Sequence, residues 1–198
     1  MKTQQVKLKL LARVLEIICS ILFWVTAVGF CIFLLGNIAL AFIPAKSVVI
    51  DANTSGSLST TLGGTMFFKF EPQVSGEIII KPFLQAFFSW IAVAALMVSV
   101  ILFEVKRVLK SVIQNNPFKI GNSKNLTVIA AVLIIGSFIV PFLEGRVVSE
   151  IIRALQISNI NFSYSLDGTL LFTGIIILIL AGVFQYGNYL QEEVDSTL

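Results

Sequence analysis

The chain has 198 residues, of which 57% are hydrophobic and 13% charged, and its mean hydropathy is +0.94. Soluble domains carry about 45–50% apolar and about 25% charged residues, so a soluble globule is excluded, and so is disorder, which needs low hydrophobicity and high charge. The net charge of +3 is small, and where the basic residues fall matters more than their sum.

The first apolar stretch covers residues 12–43, longer than the roughly 20 residues that one crossing requires. Lys2, Lys7, Lys9 and Arg13 precede it, and Ala39-Leu40-Ala41 imitates a cleavage site. A signal peptide's apolar core is only about 7–15 residues long, so the stretch reads as a retained anchor. Cys19 and Cys31 both lie in it, roughly 18 Å apart on a helix, too far for a bridge within the chain. Its polar residues are Glu16, expected to reach toward headgroups or a basic neighbour, and Asn37, expected to donate a hydrogen bond to another helix. Gly29 and Gly36 share a helix face suited to close packing.

Residues 44–82 form a loop whose middle is rich in Ser, Thr and Gly, flanked by β-prone runs at 47–50, 65–70 and 77–80. The second span is 83–103. Beyond it, in the connection 104–125, Val105, Val108, Leu109, Val112 and Ile113 continue the helical apolar pattern, with Lys106, Arg107 and Lys110 on the other face. Such a basic extension suits anionic headgroups or a cytoplasmic partner. Asn116-Pro117 then ends that helix or starts the next. The third span is 126–143. In the following loop, 144–168, an apolar face from Val147 to Leu155 lies opposite Glu150 and Arg153 and predicts a short amphipathic helix. Ile160, Phe162, Tyr164 and Leu166 then alternate with polar residues, the period of a half-buried strand. The fourth span is 169–187, and an acidic tail, 188–198, holds Glu192, Glu193 and Asp195.

The expected fold is an all-α membrane protein with four transmembrane helices in one domain, capped outside by a small β structure from loops 44–82 and 144–168. Nine basic residues fall on the side of the termini and five on the other, which predicts both termini in the cytoplasm. The chain has no histidine, hence neither the usual base near neutral pH nor the commonest metal ligand. It also lacks a nucleophile motif, a metal-ligand cluster and a phosphate-binding glycine loop. The expectation is therefore a non-enzymatic protein with no catalytic residues, no metal and no cofactor, and with no direct binding of nucleic acid. Ion-coupled transport is disfavoured, since Glu16 is the one carboxylate within the four spans and paired broken helices are not evident.

Two segments carry a family resemblance. One is Asn116-Pro117-Phe118, followed by Leu126, Ile129 and Ala130; the other is the ending formed by Phe184, Gly187, Leu190, Gln191, Glu192, Glu193, Asp195 and Thr197. In them the second half of the chain resembles a bacterial four-helix membrane family known as domain of unknown function number 2975. Its members are often encoded beside a small helix-turn-helix regulator. The resemblance implies, by analogy, a regulatory or sensory protein that holds a cytosolic DNA-binding partner, with the acidic tail complementing that partner's basic face. The alternative is a small permease or immunity-type protein handling a peptide or lipid, and a third reading is a homo-oligomeric scaffold joined through the Gly29/Gly36 face.

Overall fold

A computed structural model describes residues 2–52, 58–62, 66–70, 76–114, 119–154 and 165–197. Its main elements are four helices: α1 (Lys2–Phe42), α2 (Lys81–Ile113), α3 (Ile120–Ala154) and α4 (Gly168–Thr197). All four are long and apolar enough to cross a membrane, and the protein is a multi-pass membrane protein. Backbone amides in hydrocarbon must pair within their own segment. That requirement makes even the β-branched run 175–177 of α4 helical.

The chain divides into two compact units, each taken by itself. The first comprises Met1–Ile32, Ala92–Pro141 and Ser165–Leu198. Its buried apolar residues are mostly small: Ala12, Ala92, Ala130 and Ala181, with Ile129 beside them. Large side chains such as Trp24, Val25, Phe138 and Ile179 are exposed. This is the inversion expected when lipid tails are as apolar as leucine and helices associate through close backbone approach. Gly174 of α4 shows it, because a Cβ there would come within 2.8 Å of Ile134 Cγ1 and 3.2 Å of the Ala130 carbonyl oxygen. Hydroxyls add bonds between helices. Thr26 and Ser99 meet at 2.8 Å between α1 and α2, and Ser123 Oγ donates to the Ala181 carbonyl at 2.9 Å between α3 and α4.

The helix α3 departs from expectation by running unbroken through Pro141, so the segment beyond Arg146 continues α3 instead of forming a separate short helix. A proline lacks the N–H that would bond the carbonyl four residues earlier, here that of Ser137. The backbone N–H of Asp167 supplies the missing partner, donating to Ser137 O at 3.0 Å. The same Asp167 caps α4, its Oδ1 accepting the N–H groups of Thr169 (2.9 Å) and Leu170 (3.0 Å). One residue thus satisfies both the break in α3 and the start of α4.

The second unit comprises Phe33–Ile91 and Phe142–Tyr164. Lys81 Nζ, at the start of α2, donates to the Ile43 carbonyl at 2.5 Å and so satisfies backbone left open at the end of α1. The described strands all come from the first loop. β1 (Val49–Ala52) pairs antiparallel with β4 (Gly76–Ile79), and β2 (Leu58–Leu62) with β3 (Met66–Phe70), giving two two-stranded sheets. The registers run Val49↔Ile79 to Ala52↔Gly76 and Leu58↔Phe70 to Leu62↔Met66. Three of the strands fall on the β-prone runs; β2 lies in the Ser/Thr-rich middle. Of the alternating segment in the second loop, Ile160, Phe162 and Tyr164 lie outside the described residues, and Leu166 is in no strand. Beyond Pro141, Val147 is buried on α3 while Glu150 accepts from Arg153 Nη1 at 3.1 Å one turn away.

Candidate functional site

The densest buried polarity lies within the first unit, where α2 ends and α3 begins. Glu104 is 7% exposed and needs compensation, because an isolated buried carboxylate costs far more than a neutral polar group. Arg107, one turn on, supplies it: Nη1 lies 3.3 Å from both carboxylate oxygens. The guanidinium carbon also sits 4.4 Å from the centre of the Phe103 ring, within reach of a cation–π contact. From α3, the Asn125 amide, oriented with its nitrogen toward these acceptors, as the surrounding groups require, donates to Glu104 Oε2 at 3.1 Å and to the Gly121 carbonyl at 3.0 Å.

A second layer follows one to two turns further along α2. Ser111 and Asn122 are both buried, at 5% and 2% exposure. The Asn122 amide donates to Ser111 Oγ, and that hydroxyl bonds the Val108 carbonyl at 2.8 Å. Beside these groups opens a cavity of about 400 Å³. Arg107, Lys110 and Lys119 give its wall three cations, and Ser111, Gln114, Asn122 and Asn125 give it neutral hydrogen-bonding groups. Chemically the arrangement can hold an anion. Among the described residues no three His, Cys, Asp or Glu side chains gather as metal ligands would.

The basic residues expected on one face are divided between two tasks. Lys106 Nζ donates to Ser20 Oγ of α1 at 3.0 Å, whereas Arg107 and Lys110 line the cavity. Asn116, Pro117 and Phe118 lie outside the described residues. In α4, Phe184 and Gly187 are half-buried and Leu190 and Gln191 exposed. Glu192 and Glu193 are exposed, Glu192 accepting from Asn188 Nδ2 at 3.0 Å. Asp195 and Thr197 fall in the last turns of the same helix. Glu16 is half-buried on α1. In the second unit, Asn37 Nδ2 donates to the Gln85 carbonyl at 2.9 Å and to Ser89 Oγ at 2.6 Å, joining α1 to α2. A Cβ on Gly36 would meet the Phe88 ring at 3.0 Å, whereas at Gly29 it would meet nothing within 4 Å.

Sequence reasoning missed Glu104, Ser111, Asn122 and Asn125. Two signals pointed to them: the i, i+3 spacing of Glu104 and Arg107, which makes helix neighbours, and the same spacing of Asn122 and Asn125. Comparison with curated proteins and with solved structures returns no match. The family described as "Protein of unknown function (DUF2975)" matches residues 80–198, a span that takes in α2, α3, α4 and the cavity between the ends of α2 and α3, and the chain belongs to that family.

Proposed function

We propose that this is a non-enzymatic regulatory or sensory protein of the bacterial plasma membrane, with both termini in the cytoplasm, that binds a cytosolic helix-turn-helix regulator through the end of α4. The observation that carries this reading is the form of that end. The helix continues to Thr197, past its apolar run, and presents the exposed carboxylates Glu192 and Glu193 on an ordered scaffold. A DNA-binding partner is basic on its DNA face, and complementary charge steers association and selects partners. A non-enzymatic role is supported by the employment of Asn37, Ser89, Thr26, Ser99 and Ser123 in helix–helix bonds.

Co-expression of the chain with a small helix-turn-helix regulator, taken from beside its gene where one is encoded there, tests the reading. The regulator should fractionate with membranes, and Glu192→Lys/Glu193→Lys should release it. Retention should also weaken with added salt, as screening dictates. Equal retention by the reversed-charge variant overturns the role of α4. The orientation is tested separately in a chain with Cys19 and Cys31 replaced by alanine. Ser57→Cys should react with an impermeant thiol reagent in intact cells, and Ser196→Cys should not.

A further inference from the structure

The cavity at the junction of α2 and α3 is used by nothing in the reading above, and its chemistry is specific. Glu104 offsets one of the three cations on its wall, since it is bonded to Arg107. The side chains of Lys110 and Lys119 have no ion-pair partner among the described residues, and both are exposed. Two positive charges are therefore left over, and no carboxylate is among the lining residues. The wall also includes Gly121, in the first turn of α3, where helix N–H groups have no partner inside the helix and favour anions. A Cβ on Gly121 would meet nothing within 4 Å, so the space beside it is open. The volume of about 400 Å³ lies in the range of small-ligand sites.

The geometry points to a binding site for a phosphomonoester. Such a group brings about two negative charges and three acceptor oxygens, matching the two uncompensated lysines and the guanidinium N–H groups of Arg107 that Glu104 leaves over. A carboxylate would answer one charge only. The phosphomonoester has two sources with the same chemistry, the headgroup of phosphatidic acid or a soluble compound such as glycerol 3-phosphate. This site is independent of the carboxylates on α4, so either proposal stands if the other fails.

The test uses the full chain purified in a neutral detergent. Native mass spectrometry reads retention of phosphatidic acid against phosphatidylcholine, and calorimetry reads binding of glycerol 3-phosphate. Lys110→Gln/Lys119→Gln should weaken binding about tenfold or more, since each lysine supplies a charge-assisted contact. Lys110→Arg/Lys119→Arg should retain it. Gly121→Val, which fills the open space without changing charge, should weaken binding to a similar degree, and Lys124→Gln, exposed on the next turn but not lining the cavity, should leave it unchanged. Binding of both probes with this pattern, or of phosphatidic acid alone, supports the site and identifies the source. Failure of both probes to bind overturns it. So does equal loss in Lys124→Gln, or full binding in Gly121→Val, either of which would mean diffuse attraction to a basic surface.

Discussion

Two polar clusters in this protein solve the same problem in opposite ways. In the second unit, Asn37 spends both amide hydrogens on the Gln85 carbonyl and Ser89 Oγ, and Ser89 in turn bonds the Gln85 carbonyl. Every partner is neutral and the cluster fastens two apolar helices together. In the first unit, Glu104, Arg107 and Asn125 form an equally interlocked group, yet Lys110 and Lys119 stand beside it with charge to spare. A closed neutral network in a membrane helix pair is a fastener. Charge left over beside an open cavity is a recognition element, because gathering like charges without a counter-ion costs repulsion and serves no packing purpose.

The largest effect that would break this comparison is at Arg107. Removing one partner of a buried pair leaves an uncompensated charge, a loss of about 3–5 kcal/mol when both groups are fully buried. Arg107 is more than half exposed and Asn125 still bonds Glu104, so Arg107→Ala should destabilise by about 2 kcal/mol, nearer the scale of a hydrogen bond to a charged group. Thermal unfolding in detergent measures it. Adding Glu104→Gln should restore most of the loss, since a neutral amide needs no cation. Without that rescue, Arg107 acts through its contact with Phe103 and not through the carboxylate.

Next in size is Asn37→Leu. Hydrogen bonds between membrane helices contribute about 0.6 kcal/mol on average and up to about 1.7. With two bonds lost, the variant should lose about 1 kcal/mol in the same assay and leave phosphatidic acid retention untouched. A similar loss, about 1 kcal/mol, is expected for Asp167→Ala, which removes the N-cap of α4. Its backbone N–H to Ser137 remains, so α3 should stay continuous through Pro141, as judged by unchanged helical circular dichroism.

The difference between the clusters also explains what could be read from the sequence. The four spans were legible because about 20 consecutive apolar residues have few other uses, and Asn37 stood out as a lone amide in such a run. Glu104 did not stand out. It follows directly on the second span and is succeeded by Lys106, Arg107 and Lys110, so it reads as part of a solvated rim. Its burial arises from α3, whose Asn125 lies 21 positions away in the chain. The passage of α3 through Pro141 was hidden for the same reason, since the donor that makes it tolerable is Asp167. Strands β1, β3 and β4 were legible from β-branched and aromatic runs. β2 was not, because serine and threonine serve loops and strands alike.

The smallest effect sharpens the comparison from the side of packing. Gly29 and Gly36 are one heptad apart on α1, and in a helix interior alanine is favoured over glycine by up to about 1 kcal/mol. At Gly29 a new Cβ meets nothing, so Gly29→Ala should stabilise by a few tenths of a kcal/mol. At Gly36 the Cβ would press on Phe88, whose ring lies 5.6 Å from Phe33 and 6.5 Å from Phe87 and has neighbours on more than one side. There the gain in propensity is cancelled by crowding, and Gly36→Ala should be neutral or weakly destabilising. Thermal midpoints of the two variants should therefore differ in sign or nearly so. A cost at Gly29 equal to that at Gly36 would instead require another surface against α1, and since no described residue lies within 4 Å of a Cβ there, the surface would be a second copy, detectable as a dimer that dissociates in Gly29→Leu.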